Sequence, residues 1–318
     1  MNRYRAMIGV GGIGAGTFFA VSGNATIGRE ESRGGHFLHR RDYCKLHIIS
    51  HYVKALAGPE FAVVPVGKVG DDDVGRRLLD EMGDVGLDLR YVETSPGNST
   101  LFSFCFVYPD GSGGNLTTDD SACSKVDPEF VARAQGEFER FRGAGIALAA
   151  PEVPLPAREA LIRMGTRYGF FRAASFTSEE IPWAVESGIL QEVDLLAINR
   201  DEAGAVLGGE SAGDLGKVVS DALAKLREMN SKLMVTVTAG AGGSWSWDGS
   251  ELRHVPACKV EPVSTAGAGD AHLAGVLVGL AEGMPLAEAH RLGASVAGMS
   301  VTSPHTIDKR IDRESLGN

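Results

Sequence analysis

The sequence predicts an α/β fold: a central, mostly parallel sheet covered by helices, with a smaller β-sheet attached. Three observations carry this. Short apolar runs alternate with amphipathic stretches through the C-terminal two-thirds, as βαβ units require. Several of those runs are continuous, such as LMVTV at 233–237, which suits strands covered on both faces. Finally, 43% apolar and 23% charged side chains over 318 residues is ordinary globular usage, which leaves out a disordered chain.

At the N-terminus, Met7–Val10 reads as a very short strand before a glycine-rich stretch. Thr17–Asn24 is rich in β-formers and then broken by Gly23. Phe61–Val66 reads as a core strand, and Asp71, Asp72 and Asp73 offer N-caps for a helix over Val74–Met82. Leu101–Tyr108 is aromatic and β-rich, and Pro109-Asp110-Gly111 is a turn signal. A hairpin there would project from the main sheet. Strands follow at Ile146–Ala150, Tyr168–Ala174, Asp194–Ile198 and Leu233–Thr238. Helices are expected near Ala157–Arg167, Glu179–Leu190, Arg200–Leu207 and Leu215–Met229. Ala271–Leu280 is apolar on every side and predicts a buried helix. No repeat or linker divides the chain, so residues 1–318 are expected to form one domain with insertions at approximately 11–40 and 91–120.

Forty-two glycines without a fixed repeat exclude collagen and point to tight turns and close backbone approaches. A formal charge of -10 argues against general binding to nucleic acid or anionic membranes. It leaves room for a small anion held by backbone amides. Cys44, Cys105, Cys123 and Cys258 form no CxxC pair, so neither a disulfide framework nor a zinc site is expected, and a cytoplasmic location fits. No apolar run reaches the roughly 18–20 residues of a membrane span, and glycines interrupt any signal-peptide core at the N-terminus.

The most informative stretch is Val263–Gly275, with Gly267 and Gly269 opening the buried helix. The first amides of a helix lack intrahelical partners, and with the macrodipole they form an anion hole. Glycine lets a phosphate approach the backbone. Asp270 stands beside that hole, where a carboxylate can take a proton from a hydroxyl while the amides stabilise charge on a phosphoryl group. Read without its neighbours, Asp270 is equally a helix cap and the glycines a turn.

Thr265–Asp270 with the following AHLAG resembles the DTxGAGDxFxxG signature of the pfkB (ribokinase-like) carbohydrate kinase family. Further segments match in order. Gly67–Asp72 with Gly75 resembles GxVGxDxxG, Asn199–Glu202 resembles NxxE, and Thr238–Gly243 resembles the TxGxxG nucleotide turn. Pro109–Gly111 matches a turn of the family's lid, and Ser295–Thr302 resembles its late helix near adenine. The resemblance implies a three-layer sandwich with a small β-sheet lid. It implies transfer of the ATP γ-phosphoryl group to a hydroxyl of a sugar or sugar-like substrate, with a nucleoside acceptor or a non-catalytic regulator as alternatives. Asp270 would be the base, and the amides of Gly267, Ala268 and Gly269 the anion hole. Asn199, Glu202, Thr238, Gly240, Gly243 and Thr265 would line the nucleotide side, with Glu202 holding Mg2+ through water. Gly34, Gly35, His39 and Glu152 are the implied substrate contacts.

Departures from the family pattern fall on the substrate side. The family's early Asp, which grips sugar hydroxyls, has no counterpart in Gly11–Thr17; His39 stands near a usual Asn, and Ser264 replaces the signature's opening Asp, weakening a monovalent-cation site. Gly9–Gly14 also fits GxGxxG, with Glu30 and Glu31 at the distance of a ribose-binding acid, the mark of an NAD-dependent oxidoreductase. Unpaired edges of a lid sheet would allow pairing of two subunits, so a homodimer is a further expectation.

Overall fold

The computed structural model describes residues 2–110, 112–209 and 214–317. β1 (Ala6–Val10), β2 (Gly14–Val21), β3 (Gly35–Tyr43), α1 (Lys45–Ala57) and β4 (Ala62–Gly70) open the chain. α2 (Asp73–Asp84), β5 (Val92–Ser95), β6 (Leu101–Val107) and β7 (Gly113–Thr117) follow. Short helices α3 (Pro128–Ala132) and α4 (Gln135–Arg140) lead to β8 (Gly145–Ala149), α5 (Leu155–Tyr168), β9 (Phe171–Ser175), α6 (Ile181–Glu186) and β10 (Leu195–Asn199). The last third holds α7 (Arg200–Val206), α8 (Leu215–Met229), β11 (Met234–Thr238), the β12 (Ser244–Trp247) and β13 (Leu252–Val255) hairpin, α9 (Ala268–Ala281) and α10 (Leu286–Ser300).

Nine strands make the main sheet in the order β13-β12-β11-β10-β9-β8-β1-β4-β5, and only β12 and β13 run antiparallel to their neighbours. Alternate residues of the central strands feed two cores. Ala6, Ile8 and Val10 of β1 face the layer that contains α5 and α8. Met7 points to the opposite layer, where α1 and α9 pack. α9 is buried along its whole length from Ala271 to Ala281, as its apolar sequence requires. The second sheet, β3-β2-β6-β7, is the lid. Its strands lie within 14–43 and 101–117, whereas Val92–Ser95, inside the expected 91–120 insertion, pairs with β4 in the main sheet.

Helix α8 has the bounds expected from sequence. The Asp triplet also acts as anticipated, because Asp72 caps α2 by accepting the Gly75 amide at 2.8 Å. Glycine explains two differences. Gly169, at φ 70°, ends α5 and delays β9 to Phe171 instead of Tyr168. Gly188, at φ 78°, cuts the expected 179–190 helix to Ile181–Glu186 plus a 3-10 turn. At the lid tip, Asp110 accepts the Ser112 amide and hydroxyl at 2.9 and 2.6 Å, and Gly111 lies outside the described residues. The dinucleotide reading of Gly9–Gly14 is corrected: Gly14 begins strand β2, so the glycine run leads into a strand and not into the helix that the motif would open. All four cysteines are free, and no helix among the described residues is long and apolar enough to cross a membrane.

Candidate active site

A cleft opens at the C-terminal ends of β9, β10 and β11, where open parallel sheets place their ligands. Ser175, Asn199, Thr236 and Thr238 come from the strands and Glu202 from α7. Gly269 and Asp270 come from α9, and Lys45 from α1.

Gly267 is the N-cap of α9 at φ 75°, a conformation that favours glycine. The Ala268 amide donates to Thr265 O at 3.3 Å, while the amides of Gly267, Gly269 and Asp270 find no acceptor among the described residues. Asp270 follows in the first turn, its side chain 15% exposed. Burial pushes its carboxyl above the ordinary range, and Lys45 opposes that shift. Lys45 Nζ lies 3.9 Å from Asp270 Oδ1. The charge of Asp270 raises the Lys45 ammonium pKa in turn.

Glu152 enters from the loop after β8. Its φ is 76°, rare for a side chain with a Cβ. Its Oε2 accepts the Lys45 amide at 3.0 Å, satisfying the start of α1. A Cβ on Gly12 would lie 2.2 Å from that Oε2, so glycine at 12 makes room for the carboxylate. Burial raises Glu152 to about 7. Glu202 is likewise pushed up to about 7 by burial, against the Asn199 amide that donates to it. Asn199 and Glu202 form a reciprocal capping box at α7, with Asn199 N to Glu202 Oε2 at 2.8 Å and Glu202 N to Asn199 Oδ1 at 2.9 Å. The cap and the cleft lining are thus the same two residues.

The structure therefore gathers Asn199, Glu202, Thr238, Gly269 and Asp270 around one cleft, with Glu152 joined to it through Lys45. Gly240 and Gly243 form the turn after β11 at φ 51° and 84°, and Thr265 is exposed just before Gly267. Gly34, Gly35 and His39 are exposed at or within lid strand β3 and are not brought to this cleft.

Sequence reasoning missed Lys45 and Asp42. A lysine in the first turn of a helix opposes the macrodipole, and here Glu152 and Asp270 compensate it; that mismatch was the available signal. Asp42, the last residue but one of β3, pairs with Gly16 of β2 and is 8% exposed. Burial raises it, while Cys105, Ser103, the Tyr43 amide and Thr306 oppose the shift. Two buried polar atoms in the cleft wall, Ser175 Oγ and His272 Nε2, have no hydrogen-bond partner. No group of three or more His, Cys, Asp or Glu among the described residues could cage a metal ion.

The pattern of the pfkB family carbohydrate kinases matches residues 52–313. Ribokinase of Schizosaccharomyces pombe is 24% identical over 251 residues, covering 78% of this chain and 77% of that protein. Cytidine kinase of Thermococcus kodakarensis is 34% identical over 250 residues, covering 75% and 80%. Among solved structures, ribokinase from Giardia lamblia superposes with a TM-score of 0.81 at 19% identity over 98% of both chains. Ribokinase from Cryptococcus neoformans in complex with ADP gives 0.80 at 19% identity over 99% of both. The fold, the ordered motifs and these matches together place the chain in the pfkB family of carbohydrate kinases, phosphotransferases with an alcohol group as acceptor.

Proposed function

We propose that the chain transfers the γ-phosphoryl group of ATP to a hydroxyl of a sugar or sugar-like acceptor, with Asp270 as the base. One observation carries this reading: a partly buried carboxylate in the first turn of α9, next to amides without an acceptor. Asp270 takes the proton of the attacking hydroxyl. The amides of Gly267 and Gly269 stabilise charge on the transferring group; Ala268, already bonded to Thr265, contributes less. Lys45 favours the ionised form of Asp270 against the opposing effect of burial and balances charge in the cleft. Asn199, Thr238, Gly240, Gly243 and Thr265 form the nucleotide side, in line with the ADP held by the Cryptococcus relative.

Glu202 suits magnesium held through water: it is one carboxylate, and magnesium retains most of its waters and binds substrate phosphates instead of an all-protein cage. When bound, the ion would neutralise phosphate charge. Glu152, fixed against the start of α1, is the proposed contact to the acceptor. The 34% identity to a cytidine kinase supports a nucleoside as second reading. The lid supports a homodimer, because Phe37 and Leu116 are 62% and 64% exposed on it. The free cysteines fit a reducing, cytoplasmic setting.

The test is acceptor-dependent ADP release from Mg-ATP over sugars and nucleosides, with the phosphorylated product identified by mass. A product carrying one added phosphate supports the proposal. ADP release that ignores the acceptor argues against it.

A further inference from the structure

We infer that His254 of β13 and His290 of α10 are positioning residues that clamp the glycine turn after β11 and so raise its affinity for the nucleotide. The inference deepens the nucleotide side of the reading above and rests on it.

The turn is loose by composition. Gly240, Gly242 and Gly243 are three of its residues, and the peptide joining Gly242 to Gly243 has no side chain on either flank to restrict it. Three backbone bonds close the turn: Ala239 N to Gly243 O at 2.9 Å, Gly242 N to Ala239 O at 2.9 Å and Gly243 N to Gly240 O at 3.0 Å. None of them holds the Gly242 carbonyl. His254 does, with Nε2 at 2.9 Å from that oxygen. A carbonyl only accepts, so Nε2 carries the proton. The imidazole is held in turn by Trp245, its cross-strand partner, with ring centroids 4.3 Å apart and planes tilted by 33°. Gly243 leaves room for this contact, because a Cβ there would lie 2.9 Å from His254 Nε2.

The residue after the turn is held from the core. Ser244 is buried, and its hydroxyl is hydrogen-bonded to His290 Nε2 at 2.7 Å. Burial lowers the His290 pKa to about 4, so this bond joins neutral groups. The His290 ring meets His272 edge to face at 5.3 Å. His272 lines the cleft two residues after Asp270. Thr238, at the start of the turn, lines the same cleft, and a Cβ on Gly269 would reach its Oγ1 at 3.7 Å. The turn is thus braced against the helix that carries Asp270.

A nucleotide that binds a mobile turn must also order it, and the lost entropy lowers affinity. A turn fixed beforehand loses less. Neither histidine has to touch the nucleotide for this effect. Both act through the backbone and Ser244, so nucleotide affinity should move while acceptor affinity stays.

The experiment measures ADP binding by titration calorimetry, and Mg-ATP kinetics, for the full-length protein, His254→Ala, His254→Gln and Ser244→Ala. Loss of one neutral hydrogen bond corresponds to about threefold to tenfold. His254→Ala and Ser244→Ala should each weaken ADP binding and raise KM for ATP by about that factor, with kcat and acceptor KM within about twofold of wild type. His254→Gln keeps a donor and should recover most of the loss. His254 is exposed, so its variants should melt near wild type. They decide the proposal even if Ser244→Ala does not fold. ADP affinity unchanged in His254→Ala overturns the inference and leaves the kinase reading standing. An equal rise in KM for ATP and for the acceptor also overturns it, because that marks general loosening and not a clamp on the turn. Absence of ADP binding by wild type overturns the nucleotide reading, and this inference with it.

Discussion

At the scale of single residues, the cleft is governed by carboxylates held out of water. Burial lifts Glu152 and Glu202 from the ordinary value of 4.5 to about 7, so the folded chain holds their protons more tightly than the unfolded one. Their contribution to stability is fully present below the unfolded value and is lost as pH rises through the folded value. The melting temperature of the ligand-free protein should therefore fall as pH rises from about 5 to about 8. Glu202→Gln keeps the capping box and should flatten part of that fall in a thermal-shift titration. A variant as pH-sensitive as wild type would contradict the assignment. Asp270 and its glycines were legible in sequence because a helix N-terminus needs only consecutive residues. Asp42 and Lys45 were not, because their meaning comes from partners far along the chain: Gly16 and Cys105 for one, Glu152 and Asp270 for the other.

Elements show where local pattern suffices. Helix α8 and the Asp72 cap follow from periodicity and capping alone. The ends of α5 and α6 depend on which glycines adopt left-handed geometry, and Gly169 and Gly188 do. Gly9–Gly14 fits a dinucleotide motif by spacing, yet its last glycine enters a strand. Part of that glycine run serves Glu152. Gly12→Ala would push a methyl group to 2.2 Å from Glu152 Oε2, displacing the carboxylate from the first amide of α1. Overpacking of this kind costs about 1–3 kcal/mol. We expect a melting temperature several degrees lower and a weaker KM for the acceptor, with the ATP-induced thermal shift retained. Calorimetry and steady-state kinetics check both, and a wild-type melting curve would refute the packing role of Gly12.

Across the whole molecule, the proposed function puts the nucleotide against the nine-strand sheet and the acceptor under the four-strand lid. The lid has two unlike faces. One carries Asp42, Ser103 and Cys105. The other carries Phe19, Phe37 and Phe104, whose rings lie 5.2–6.4 Å apart, with Leu116 opposite Phe104. An exposed apolar cluster of that kind marks a contact surface. Light scattering should give a dimer for wild type and a monomer for Phe37→Asp; a monomeric wild type would refute this assignment. The central claim concerns chemistry at Asp270, and acceptor-dependent ADP release by wild type and Asp270→Asn tests it most directly. The account predicts turnover that drops by about 10²–10⁴-fold in Asp270→Asn while ATP still binds. Equal turnover by the two proteins would contradict it.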